Sequence, residues 1–359
     1  MRTYLDIACS DAQNLHKSMR GVKGKYLSRL FANQLASNLI LKTNRIELCP
    51  CGSGKKFKHC CMSESTRIPA ELYDAIQQSL AMNPNLSIDE LNAVMRQRAE
   101  EQNNLPQPDF CGLTPNQMTN WLYAPFEEIK DVTINTPHDL RASPVMRYLE
   151  LILDTILEHG GALKATSKGN LPAGLVKRAS ELLPDFAVAE FNEIVSISDY
   201  AGSNEDKFNA LHYTRIQAQL AGIIGIRKGK FHMTRAAQTK YQRSGVGVFF
   251  PSLLEAATKR YNWGYFDLWK EDIPLREFWL FMLWRIQVHG SVGKLTDETA
   301  IAFPDVLEHF DEDDYQTPKE QLGTLIESRF LERFLEFFGF IVIDPKRFQD
   351  GKRLSLIHI

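Results

Sequence analysis

Four of the six cysteines fall together in Cys49-Pro50-Cys51-Gly52-Ser53-Gly54-Lys55-Lys56-Phe57-Lys58-His59-Cys60-Cys61. Clustered soft donors in this arrangement read as a metal site, and four thiolates suit a tetrahedral zinc ion with Zn–S near ~2.3 Å. A C-x-C pair can meet a C-C pair only if the chain reverses between them. Gly52 and Gly54 supply that freedom, because glycine reaches positive φ without a Cβ clash. Pro50 stiffens the first pair. Lys55, Lys56 and Lys58 stand close enough in sequence to offset the negative charge of a thiolate-rich centre. The spacing is tighter than in ordinary zinc fingers. The residues alone therefore leave a redox dithiol pair, unrelated thiols or an iron–sulfur cluster open beside zinc. Cys9 and Cys111 stand apart and read as buried or unreactive thiols.

The segment Cys49–Cys61 resembles the SEC-C motif family. That pattern runs C-P-C-G-S-G-K-K, an aromatic residue, K-x-C, and then Cys or His, and the segment matches every defined position. The resemblance covers about Arg45–Met62. It implies one Zn²⁺ held by Cys49, Cys51, Cys60 and Cys61, with His59 at a variable position and not a ligand. Four protein ligands close the shell and leave no open coordination position, so a structural, surface-presenting role is expected rather than a catalytic one. The resemblance also implies docking on an acidic protein surface or on ribosome/RNA, with Arg45, Lys55, Lys56 and Lys58 as the contact residues. Gly52-Ser53-Gly54-Lys55 is too short for a P-loop, so no motor activity is expected.

A second candidate lies at Ile223–Thr234. An apolar strand, a Lys228-Gly229-Lys230 turn and a second strand predict a β-hairpin. With helices expected before and after it, the segment has the order of a winged helix. Arg227, Lys228, Lys230 and Arg235 would then face phosphates, which fix position rather than sequence. The plain alternative is a solvated hairpin in a helical protein. The phrase Lys164–Pro172 resembles one found in bacterial proteins that join helical repeats to a SEC-C knuckle.

The elements that must carry these sites are mostly helical. Apolar periodicity predicts helices over 15–41 and 69–82. Ser87 with Glu90 suggests a capping box opening a helix from about Ile88 to Glu101. Thr114 and Pro115 predict an N-cap and first helical residue, opening a helix through Tyr123. Residues 130–142 read as irregular. A strong amphipathic helix is expected from Pro144 to His159, stopped by Gly160-Gly161. A strand over 161–166, a turn at Lys168-Gly169-Asn170 and helices over 172–183, 206–221 and 235–243 follow. The aromatic stripe from Phe249 to Trp284 is expected to be core. Asp305–Asp314 reads as a solvated acidic segment.

Three copies of helix, glycine and short strand recur, ending at 161–166, 223–234 and 340–344, and suggest repeated winged-helix-like units. Arg353–Ile359 breaks from this pattern, and no function is expected there.

The expected fold is mainly α with short β-hairpins, an α+β arrangement of a small zinc knuckle and a partly winged-helix-like helical body. The expected domains are a basic helical arm (1–44), the knuckle (45–63), a helical linker region (64–143), the winged-helix-like region (144–245) and an aromatic-rich helical domain (246–359). Hydrophobic content of 44% and charged content of 24% are those of a soluble globular chain. The net charge of −2 is uninformative, but from Lys17 to Lys58 the only acid is Glu47.

No secretory signal or long apolar run stands out, so a cytoplasmic protein without membrane insertion is expected. No nucleophile elbow, zinc-protease motif or dinucleotide fingerprint occurs, and nothing points to an enzyme. The leading expectation is a zinc-binding adaptor. The alternative is a DNA-binding regulator or mobile-element accessory protein acting through the hairpin.

Overall fold

The structure is a computed structural model that describes residues 88–137, 139–183, 204–265, 269, 273–311, 315–343 and 354–356. The chain divides into two compact units, residues 1–118 and 119–359.

In the first unit, α1 (Ile88–Asn103) is a mostly exposed helix. A short 3-10 turn at Pro108–Phe110 follows and ends on Cys111 in the left-handed region. The helix α2 (Pro115–Tyr123), which starts in the first unit and ends in the second, opens as expected. The Thr114 hydroxyl accepts from the Gln117 N–H at 3.1 Å, and the Gln117 side chain accepts from the Thr114 N–H at 3.0 Å. This reciprocal pair satisfies two donors that a helix start otherwise leaves open.

The second unit holds the elements that matter for the hairpin. The helix α3 (Pro144–Glu158) buries Val145, Met146, Tyr148, Leu149, Ile152 and Ile156 along one face. It is followed by β1 (Leu163–Lys164), α4 (Ala173–Leu182), α5 (Asn209–Leu220), β2 (Ile224–Arg227), β3 (Lys230–Met233) and α6 (Arg235–Ser244). The three strands form one antiparallel sheet in the order β1-β3-β2. Two of the three expected repeat copies are therefore not separate units. The strand of the first copy pairs with the hairpin of the second, Leu163 opposite Phe231. A two-residue strand cannot stand alone, and the hairpin offers it an edge.

The remainder is helical and aromatic: α7 (Phe250–Glu255), α8 (Trp279–His289), α9 (Val292–Ala302) and α10 (Pro318–Leu325). Two wide π-helical runs, Ala256–Arg260 and Ile326–Glu336, extend α7 and α10. Phe249, Phe250, Phe278, Trp279 and Phe281 are buried, as the stripe predicts. Phe278 stacks on Phe303 with centroids 3.9 Å apart, and Trp279 meets Phe334 edge-on at 6.1 Å.

Gly339 sits at φ +82° where a Cβ would run into the Ala142 carbonyl, so only glycine fits between the last helical turn and the start of α3. The strand β4 (Ile341–Ile343) then pairs antiparallel with β5 (Leu354–Leu356). The stretch where the helix, glycine and strand pattern breaks thus supplies a paired strand, Leu354–Leu356. No helix among the described residues is long and apolar enough to cross a membrane.

Candidate functional site

The knuckle cysteines Cys49, Cys51, Cys60 and Cys61 lie outside the described residues, as do Arg45, Lys55, Lys56 and Lys58. Among the described residues no group of three or more His, Cys, Asp or Glu side chains is placed to hold a metal ion. The second candidate is fully described.

The hairpin turn consists of Lys228 at φ +51° and Gly229 at φ +69°. Two positive-φ central residues make a type I′ turn, whose twist matches that of the flanking strands. Lysine is an unusual occupant of the first place, where Asn, Asp or Gly is favoured, because its Cβ crowds the backbone there. The register sets Arg227 opposite Lys230 and, on the other edge, Lys164 opposite Lys230. Directly opposed residues share a face. Lys164, Lys230 and Arg227 therefore form a straight row of three cations across the sheet, all exposed. Phe231, the neighbour on the opposite face, is buried.

No ion pair joins Lys164, Lys230, Arg227 or Lys228 to an acid among the described residues. Lys168, in the nearby turn, by contrast approaches Asp206 at 3.7 Å.

The helix α6 continues the basic character. Its N-cap Thr234 accepts from the Ala237 N–H at 3.2 Å. Arg235, Lys240 and Arg243 are exposed, while half-buried Tyr241 donates to exposed Asp154 at 2.6 Å. All four basic residues expected at this site, Arg227, Lys228, Lys230 and Arg235, are thus on the surface. Sequence reasoning missed Lys164, whose place depends on a pairing far along the chain. It also passed over a readable signal: from Lys207 to Leu254 the chain contains no Asp or Glu.

What holds the sheet in place is a buried charge cluster. Glu205 is completely buried, and its carboxylate accepts from the Leu171 backbone N–H, from Arg215 Nε at 2.5 Å and from His212 Nδ1 at 2.9 Å. Asn170 beside it donates to Asp206 at 2.5 Å. These contacts fix the loop after β1 to the start of α5. Burial pushes the Glu205 carboxyl up, but the His212 hydrogen bond, the Arg215 charge and the Leu171 N–H outweigh it. Its pKa lies below the ordinary value. The Arg215 guanidinium also lies over the Phe231 ring, 5.9 Å from its centroid, linking the cluster to β3.

The helix α5 has no exposed residue. Leu211, His212, Tyr213, Thr214, Arg215 and Gln217 are all buried. Tyr213 meets Tyr261 edge-on at 4.6 Å and Phe337 at 5.3 Å. Beside it lies a narrow cleft lined by Asn209, Tyr213, Trp263, Tyr265, Arg329 and Arg333, with about 20 Å³ open to water-sized atoms. That is room for a water or two. The aromatic stripe is therefore not purely core, since Tyr265 is 40% exposed at this cleft.

Comparison with known families matches residues 47–63 to the SEC-C motif. The protein translocase subunit SecA of Orientia tsutsugamushi (strain Ikeda) is 40% identical over 62 residues, which is 16% of this chain and 7% of that protein. No solved structure matches the chain. The likeness to the translocase subunit is confined to those 62 residues, and residues 47–63 are a SEC-C motif.

Proposed function

We propose that this protein is a zinc-binding adaptor of the cytoplasm. In this reading Cys49, Cys51, Cys60 and Cys61 would hold one Zn²⁺. The donor set fits: four thiolates satisfy a tetrahedral ion and leave no position for substrate. The ion would supply a covalent-like cross-link that keeps a short, glycine-containing loop in one shape. Arg45, Lys55, Lys56 and Lys58 then present a compact positive surface, which docks on an acidic protein surface or on ribosome/RNA. Such a surface raises encounter rates with anionic partners and makes them salt-sensitive.

The observation that carries the reading is the SEC-C match at residues 47–63. The test is affinity capture with the full chain, identifying both protein and bound RNA. Salt-sensitive capture that is lost on substituting Lys55, Lys56 and Lys58 together is expected. Unchanged capture by the triple variant rules the reading out.

A second reading is favoured by a separate observation. The order helix, strand, helix, helix, strand, strand, the sheet order β1-β3-β2 and the basic hairpin support a winged-helix reading. It supports a DNA-binding regulator or mobile-element accessory protein that contacts DNA through Arg227, Lys228, Lys230 and Arg235.

A further inference from the structure

We infer that the outer face of the β1-β3-β2 sheet binds the sugar-phosphate backbone of duplex nucleic acid without reading its bases, through the row Lys164, Lys230 and Arg227. This inference rests on the hairpin reading above. It adds β1 to the contact surface and leaves α5 outside it.

The row itself is the first argument. Like charges directly opposed across a sheet destabilise it. Here two such pairs share Lys230, and none of the three cations has an acid partner among the described residues. The same chain pairs charge carefully elsewhere, as at Glu205 with Arg215 and Arg285 with Glu298 at 2.7 Å. An external anion removes the repulsion.

The geometry of the row selects the anion. Strands lie roughly 4.8 Å apart, so three cations in register form an evenly spaced line. A nucleic-acid strand offers an evenly spaced line of the opposite sign, one charge per nucleotide. The turn adds Lys228 at the end of the hairpin, and α6 adds exposed Arg235, Lys240 and Arg243 directly after β3. Asp154 and Glu150 of α3 lie beside Tyr241 of α6, so the acid-free part of this surface is the row with its turn, a line that suits a polymer better than a single small anion.

The absence of base reading follows from α5. In a winged-helix arrangement this is the helix placed to enter the major groove. Here every residue from Ala210 to Arg215 is buried, as are Gln217 and Ala218. Tyr261 and Phe337 occupy the space against Tyr213. Only phosphate contacts remain, and these carry no sequence information.

The test is fluorescence anisotropy with the full chain and two DNA duplexes of unrelated sequence, titrated across a salt series, with an RNA duplex and an acidic polypeptide as further arms. The two DNA duplexes are expected to bind equally. Lys164→Gln should weaken both alike and reduce the slope of log K against log salt by about 1. Arg227→Gln should do the same, and melting curves of both variants confirm that they fold. Binding of the RNA duplex also supports the row, since the phosphates are shared.

A preference of about tenfold between the DNA duplexes, the size of one good base contact, overturns the inference. So does stronger binding of the acidic polypeptide than of any duplex. If Arg227→Gln weakens binding and Lys164→Gln does not, the hairpin reading stands and the row falls. If the wild-type chain binds no duplex at all, both fall.

Discussion

Two charged regions flank the same small sheet and use charge in opposite ways. Around Glu205 the charges are buried, and the carboxylate receives three donors from Leu171, His212 and Arg215. Along Lys164, Lys230 and Arg227 the charges are exposed and like faces like. The first arrangement carries a large desolvation cost that its partners offset, so it acts only as a complete set. The second costs little in water but gains nothing from its neighbours. Buried and fully partnered, the cluster fastens the loop after β1 to α5, whereas the row stays open to solvent.

The largest effect is expected at the buried cluster. Glu205→Ala leaves Arg215 buried without its carboxylate and should destabilise the second unit by about 3–5 kcal/mol, read from chemical denaturation. A loss below about 1 kcal/mol would mean that the cluster is not what holds the loop to α5.

The same carboxylate predicts an acid-labile fold. Its folded pKa is depressed, so its contribution is full above the unfolded value of about 4.3 and is lost as pH falls through the folded value. Melting temperature should therefore drop through the acid range, and Glu205→Gln should flatten that drop. At the turn, Lys228→Gly relieves the positive-φ cost and should stabilise by about 1 kcal/mol. The smallest effect belongs to the row. Lys164→Ala removes one like-charge pair and should raise stability by a few tenths of a kcal/mol, an effect that fades in high salt. A loss of stability instead would show that like-charge repulsion does not set the cost at this position.

The sequence makes local features legible and leaves distant ones hidden. Pro144 and Gly160-Gly161 bracket α3 because helix starts and stops are written in a few adjacent residues. Lys228-Gly229 marks the turn for the same reason. Lys164 carries no such mark. It joins the row only because β1 pairs with β3, a contact that no local pattern encodes. Glu205 likewise looks like a surface acid beside Asp206 until Leu171 and Arg215 close over it. The repetition of helix, glycine and strand suggests separate units, whereas in the structure two copies complete one sheet. At the knuckle the reverse holds. The four proposed ligands are legible because all of them fall within one short segment, while their setting in the fold lies outside the described residues.

The central claim, a zinc-holding SEC-C knuckle, is tested most directly by elemental analysis of the purified full chain alongside thiol titration. About one zinc per chain, lost on substituting Cys60 and Cys61 by serine, is the predicted result. A metal-free chain whose knuckle thiols all react freely would contradict it.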